Sequence, residues 1–99
     1  MSKGYWVTSY RKTNDAAKLA AYAQLAAPAV AAAGGKFIVR GGKSRTLEGG
    51  WTPSRVVVLE FPDYAAAERF YDSAEYKPVL AMRLKAGKNK AIIVDGHSG

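Results

Sequence analysis

The residues best suited to chemistry lie in the last third of the chain. Tyr76 and Arg83 are seven residues apart, about two turns of a helix, so both can line one side of a cleft between a helix and a sheet. Tyr71 lies on the predicted helical segment immediately before Tyr76. Phenol and guanidinium groups on apolar walls suit a small organic acid or an aromatic ligand. The alternative, that Tyr71 and Tyr76 are core aromatics with satisfied hydroxyls, is equally compatible with the sequence, and ordinary packing accounts for Trp6 and Tyr22.

The sequence RGGKS at residues 40–44 resembles the end of a phosphate-binding loop but does not meet its requirements. Such a loop needs a glycine five residues before the glycine of Gly-Lys-Ser, and it leads from a strand into a helix. The residue at that place is Phe37, inside a predicted strand, and no helical pattern follows Ser44. The paired glycines indicate instead a bulge or a tight bend at the end of a strand.

Arg40 is the residue of this stretch that needs a chemical partner. Strict alternation along the strand predicts Arg40 and Ile38 on one face and Phe37 on the other. A guanidinium among apolar neighbours is rarely buried alone. It either pairs with a carboxylate such as Glu60 or Glu48, or offers its planar fork to an anionic ligand. Protein partners are the more common solution for buried charges, and both alternatives stay open.

Glu60 lies inside the apolar run VVVLEF, on one strand face with two of its valines. A carboxyl in that setting can act as a base with a raised pKa. An ion pair with Arg40, Arg55 or Lys36 is the favoured alternative, because structural pairs also perturb such groups. Glu60 and Tyr76 are kept as candidate catalytic residues without an assigned role.

The residue types exclude several other kinds of chemistry. The chain has no cysteine, which excludes disulfides, thiolate nucleophiles and cysteine metal sites. Its only histidine, His97, lies in the tail, so a Ser-His-Asp triad in the core is not expected and a haem ligand is poorly supported. No carboxylate cluster suggests a metal site. We therefore predict neither a metal nor a cofactor.

The net charge of +7 allows two interpretations. Clustered Lys and Arg would indicate a surface that binds polyanions, but the 15 basic residues are scattered without a long run. We therefore expect a solvated basic surface and no nucleic-acid partner. The alanine-rich stretch 19–33 contains Gln24 and Pro28 and is a poor membrane span. The N-terminus lacks the apolar region of a signal peptide, so a cytoplasmic location is the expectation.

The order of elements predicts a single α+β domain over residues 1–99. The first helix follows a cap at residues 13–15 and stops at Gly34, and Pro28 is expected to kink it or end its regular part. The remaining patterns predict four strands, at residues 4–10, 36–42, 54–61 and 90–96. They also predict two further helices, at residues 64–72 and 76–86. This is the βαββαβ arrangement of a ferredoxin-like fold, a four-stranded antiparallel sheet with its helices on one face. Strands that are apolar on both faces predict a covered second face, for which a second copy of the chain is the simplest cover.

Several segments resemble a known bacterial family. They are GYWV, GGKFIVRGG, LEG, SRVVVLEFPD and FYDSAEYKPVLAMR, in this order over roughly residues 4–95. They resemble a domain-of-unknown-function family of the dimeric α+β barrel superfamily, with kinship to small antibiotic-biosynthesis-type monooxygenases. The resemblance implies a ferredoxin-like protomer and a homodimer whose two sheets form a barrel. It implies little about activity, because one fold carries many functions.

The functional hypothesis from the sequence is a protein that binds a small anionic organic molecule, or transforms it without metal or haem, in a pocket between sheet and helices. Arg40 and Arg83 are predicted to hold the anionic group, while Tyr71 and Tyr76 orient the ligand. The alternative is a regulatory or binding module without chemistry that contacts protein or nucleic acid through its basic surface.

Overall fold

The computed structural model describes residues 2–13, 16–50, 53 and 55–97. Its elements, in chain order, are β1 (Gly4–Thr13), α1 (Ala16–Ala32), β2 (Lys36–Arg40), β3 (Arg55–Phe61), α2 (Tyr64–Asp72), α3 (Lys77–Ala86) and β4 (Gly87–Asp95). The predicted βαββαβ order is confirmed, with the second helical segment in two pieces.

The four strands form one antiparallel sheet in the order β2-β3-β1-β4. The long β1 lies in the centre and pairs with both β3 and β4, so that Trp6 stands opposite Leu59 on one side and Ile93 on the other. All three side chains point to the face that the helices cover. The architecture is therefore the predicted ferredoxin-like α+β fold.

The first helix, α1, continues through Pro28 as far as Ala32. Of the two effects expected of Pro28, an end to the regular helix does not occur. A proline inside a helix removes one backbone hydrogen bond, and burial of Ala26 and Val30 against the core helps α1 to persist around it. The turn that follows α1 contains Gly34, where φ is 82°, a left-handed conformation that favours glycine and stops the helix.

Two side-chain caps position the second helical segment. The Asp63 carboxylate accepts a hydrogen bond of 2.8 Å from the Ala66 amide and caps α2. The Ser73 hydroxyl donates to the Phe70 carbonyl at 2.7 Å and accepts from the Tyr76 amide at 3.2 Å. This turn joins α2 to α3 and fixes Tyr76 immediately before α3.

Aromatic rings fill the space between the helices and the sheet. The ring centroids of Trp6 lie 5.5 Å from Phe70 and 5.4 Å from Tyr76, and Phe70 and Tyr76 are 4.6 Å apart. Both Trp6 contacts are edge-to-face, an arrangement that aromatic pairs favour. The cluster connects the centre of the sheet to α2 and to the turn before α3.

The opposite face of the sheet carries apolar side chains that no described helix covers. Val39, Ile92 and Val94 are 42%, 47% and 44% exposed, and Val7 stands opposite both Val58 and Ile92 in register. The sequence feature that predicted a covered second face therefore corresponds to an open apolar surface on the single chain. None of the described helices has the length and apolarity needed to cross a bilayer.

Candidate functional site

Arg40 lies on the helix side of the sheet, together with Phe37. Phe37 pairs with Leu59 and Arg40 with Val57, two positions that face the helices, and the register shifts immediately after Phe37. Ile38 is the additional residue at this irregularity, so the two-residue period of the strand is broken there. The Arg40 guanidinium carbon lies 4.2 Å from the centroid of the Phe37 ring. The prediction that Arg40 and Phe37 lie on opposite faces of the sheet is therefore wrong.

A cavity of about 270 Å³, called the α1 cavity below, lies between α1 and the sheet. The helix contributes mainly small side chains to its wall, those of Ala16, Ala20, Ala23 and Ala26. Alanines at these positions leave open the space that larger side chains would fill in a close-packed interior. The sheet side is formed by larger residues, among them Trp6, Thr8, Tyr10, Val57 and Leu59.

Two guanidinium groups border this cavity, those of Arg40 and Arg55. Arg55 stands opposite Tyr10 in register. At Gly41 φ is 72°, and a Cβ there would lie 3.0 Å from the guanidinium carbon of Arg55, so glycine allows the backbone to approach this side chain. Neither guanidinium forms an ion pair with any carboxylate of the described residues.

Glu60 lies on the opposite face of the sheet. Its Oε1 is 3.3 Å from Lys36 Nζ, and Tyr5 donates a hydrogen bond of 3.4 Å to its Oε2. Of the three basic partners considered from the sequence, Lys36 is the one that pairs with it. The predicted contact between Glu60 and Arg40 does not form, because the two residues are on different faces.

Three tyrosines, the buried Tyr10 and Tyr76 and the half-buried Tyr22, form the centre of the region between the helices and the sheet. The hydroxyls of Tyr22 and Tyr76 are 2.8 Å apart and share a hydrogen bond. Burial raises the pKa of Tyr10 to about 12, and it also raises the pKa of Tyr22 and of Tyr76, while the positive charge of Arg83 opposes the shift in all three. These phenols are therefore protonated near neutral pH, where they can donate hydrogen bonds but are poor proton acceptors.

A cleft of about 580 Å³, called the β4 cleft below, lies between α2, α3 and β4 and is bordered by Tyr71 and Arg83. The Arg83 side chain is only 4% exposed, and its guanidinium carbon is 5.6 Å from the centroid of the Trp6 ring. Its Nε and Nη1 atoms are buried without a hydrogen-bond partner among the described residues. Tyr71 is half-buried, and Lys77 Nζ lies 4.5 Å from the centroid of its ring.

The four predicted ligand-binding residues do not converge on one pocket. Arg40 borders the α1 cavity, whereas Tyr71 and Arg83 border the β4 cleft. Tyr76 is completely buried and contacts both Tyr71 and Trp6. Trp6 borders the α1 cavity as well as the β4 cleft. Trp6 thus forms a shared wall between the two spaces.

Sequence reasoning missed two contributors to the α1 cavity. Arg55 was considered only as a partner for Glu60, and Tyr10 was read only as part of a strand. Their position follows from the pairing of β1 with β3, which places both on the helix side. Within the described part of the chain, no group of three or more histidine, aspartate or glutamate side chains is placed to hold a metal ion.

Comparison with known proteins identifies the family. The chain belongs to the family described as Domain of unknown function (DUF1330), whose sequence profile matches residues 3–97. The resemblance found in the sequence to a family of this kind is therefore confirmed. A comparison with curated proteins gave no match.

Solved structures with a similar fold cover nearly the whole chain. A protein of unknown function from Rhodopseudomonas palustris superposes with a TM-score of 0.75 at 18% identity, covering 99% of this chain and 85% of that one. A dimeric ferredoxin-like protein of unknown function from Thermobifida fusca gives 0.57 at 13% identity, covering 95% and 91%. A proposed antibiotic biosynthesis monooxygenase from Nitrosomonas europaea gives 0.53 at 16% identity, covering 98% and 91%. At such low identity these similarities establish the ferredoxin-like fold and do not assign an activity.

Proposed function

We propose that this member of the DUF1330 family binds a small organic anion in the cavity between α1 and the sheet. The observation that carries the proposal is the presence of Arg40 and Arg55 beside a largely apolar cavity, without a carboxylate partner among the described residues. A guanidinium offers a planar set of donors that matches a carboxylate or a phosphate. The volume of the cavity, about 270 Å³, suits a small molecule.

The apolar part of the ligand would lie against the alanines of α1 and against Val57 and Leu59 of β3. Thr8 and Tyr10 add hydroxyl groups to the same wall. A few polar groups on a mainly apolar surface are typical of sites that fix the orientation of a small organic ligand. The anionic end is assigned to the side where Arg40 and Arg55 lie.

The proposed role is binding, without proton transfer by the two candidate catalytic residues. Glu60 lies on the other face of the sheet in an ion pair with Lys36. Tyr76 is completely buried, shares its hydroxyl hydrogen bond with Tyr22, and has a raised pKa because of burial. Neither observation supports a base that reaches a ligand in the cavity.

The test is a thermal-shift and calorimetric screen of the purified protein against small carboxylic acids, with the corresponding amides as neutral controls. A ligand that binds only the folded state raises the melting temperature with its concentration. We expect acids to bind more tightly than amides, and Arg40→Met and Arg55→Met to remove this preference. Arg69→Met, an exposed charge on α2, is the matched control. Binding that is unchanged in both cavity variants would show that the anion lies elsewhere.

We also propose that the chain forms a homodimer through the open face of its sheet. Val39, Ile92 and Val94 are exposed on this face, and a symmetric second copy would cover them with an identical apolar surface. The similar protein from Thermobifida fusca is described as dimeric. The cytoplasmic location expected from the sequence stays a prediction.

A further inference from the structure

We infer a second ligand site in the cleft between α2, α3 and β4, where Arg83 binds the carboxylate of a planar aromatic acid. This site is separate from the α1 cavity and does not rest on the proposed function. Arg83 borders the β4 cleft only, and Arg40 and Arg55 border the α1 cavity only. Substitution of the arginine of one site therefore leaves the guanidinium groups of the other site in place.

The burial of Arg83 is the first observation behind this inference. The side chain is 4% exposed, and Nε and Nη1 are both buried without a hydrogen-bond partner among the described residues. Buried polar groups are nearly always hydrogen-bonded, and a buried charge normally has a partner of opposite sign. No carboxylate of the described residues forms an ion pair with Arg83. A carboxylate from a ligand would supply the missing partner.

The neighbouring groups do not replace such a partner. The Trp6 ring lies 5.6 Å from the guanidinium carbon, and its π-face attracts a cation without accepting all of its N–H donors. Arg83 forms a side-chain hydrogen bond with the Tyr22 phenol, but burial raises the pKa of Tyr10, Tyr22 and Tyr76, so these phenols are neutral near pH 7 and cannot balance its charge. The positive charge of Arg83 is therefore not neutralised by its surroundings.

The walls of the cleft indicate the class of acid. Three aromatic side chains border it, those of Trp6, Tyr64 and Tyr71, together with the apolar Ala91 and Ile93. Aromatic walls favour a planar aromatic ligand through offset or edge-to-face contacts. The flexible stem of Arg83 allows its guanidinium to turn toward a carboxylate at the inner end of the cleft. An aromatic acid satisfies both the rings and the charge.

The test uses benzoate as the probe and benzamide as its neutral counterpart. Trp6 borders the cleft, so its fluorescence reports binding; Trp51→Phe, used as the background, leaves Trp6 as the only tryptophan. In this background we expect benzoate to bind and Arg83→Met to weaken it by about 10- to 100-fold, the size expected for hydrogen bonds to a charged group. Arg69→Met, on the exposed side of α2, should leave benzoate binding unchanged.

Each outcome decides the inference. Absence of benzoate binding to the parent protein at millimolar concentration would overturn it, as would equal affinity in the parent and in Arg83→Met. A loss in Arg55→Met but not in Arg83→Met would place benzoate in the α1 cavity and also overturn it. If Arg83→Met does not fold, Tyr71→Leu decides: weaker benzoate binding in the folded variant supports the site, and unchanged binding contradicts it.

Discussion

Replacement of Arg83 by methionine should make the folded protein more stable, although Arg83 is a buried residue. The reason is the state of its guanidinium, which has Nε and Nη1 buried without hydrogen-bond partners among the described residues. Methionine has a similar length, is apolar and adapts its shape to irregular spaces. Removal of a buried charge without loss of packing relieves the cost of desolvating that charge.

The magnitude follows from two opposing terms. Each unsatisfied buried donor costs about 1–3 kcal/mol, so the two donors together cost about 2–6 kcal/mol. The loss of the contact between Arg83 and the Trp6 ring offsets about 1–2 kcal/mol of the gain. We therefore expect the free energy of unfolding to rise by roughly 2 kcal/mol, within the range seen when buried ionic groups are replaced by apolar residues. For a domain of this size, each kcal/mol raises the melting temperature by about 4–8 °C.

The assay is chemical unfolding followed by circular dichroism, at one fixed protein concentration because self-association changes the apparent stability. Arg69→Met, at an exposed position on α2, should change the free energy of unfolding by less than about 0.5 kcal/mol. Destabilisation of Arg83→Met by more than about 1 kcal/mol would refute the reasoning, because it would show that the guanidinium has stabilising partners in the fold. A gain in stability together with a loss of benzoate affinity would identify Arg83 as a residue retained for binding at the expense of stability.

Four further predictions concern other parts of the molecule. Ala23→Leu should fill part of the α1 cavity and weaken anion binding at least about tenfold by calorimetry, whereas Ala17→Leu, exposed on the same helix and outside the cavity, should not. Gly41→Ala should lower the free energy of unfolding by about 1–3 kcal/mol because φ is 72° there and the new Cβ meets Arg55, while Gly42→Ala, which meets no atom within 4 Å, should cost less in the same urea titration. Ile92→Lys should shift the dimer toward monomer in analytical ultracentrifugation, Leu25→Lys on α1 should not, and a monomeric parent protein would contradict the proposed dimer. Because burial raises the pKa of Tyr10 to about 12, its contribution to stability is complete below pH 10 and is lost as pH rises from 10 toward 12. In a phenolate absorbance titration, Tyr10→Phe should have one late-titrating tyrosine fewer than the parent protein, while Tyr22 and Tyr76 still titrate late.

Local features were predictable from the sequence because they depend on neighbouring residues. The stop of the first helix at Gly34 depends on a few consecutive residues, and the structure contains it. The fold was also predictable, because the order of the predicted elements is that of a ferredoxin-like domain. The family was predictable because several sequence segments resemble it. The sequence could not decide whether Pro28 kinks α1 or ends its regular part, because this depends on how Ala26 and Val30 pack against the rest of the protein.

The composition of the candidate site depended on pairing between strands, which the sequence alone does not specify. Arg40 changes face because the register between β2 and β3 shifts after Phe37, and a count along a single strand cannot detect that shift. Arg55 enters the cavity because it pairs with Tyr10 across two strands far apart in the chain. The separation of Arg40 from Arg83 depends on where α1 and α3 pack on the sheet, which is a tertiary property.

The distribution of charge across the sheet gives the net charge of +7 a structural meaning. On the open face, Glu60 is paired with Lys36. On the helix side, Arg40, Arg55 and Arg83 border cavities without a carboxylate partner among the described residues. One or two guanidinium groups beside an apolar cavity favour small anions with an apolar part, whereas a nucleic acid requires a continuous exposed row of cations. Binding to nucleic acid would therefore require the exposed lysines, and it should then weaken steeply with salt, while binding of an organic acid in either cavity should depend much less on salt because those charges are partly shielded from solvent.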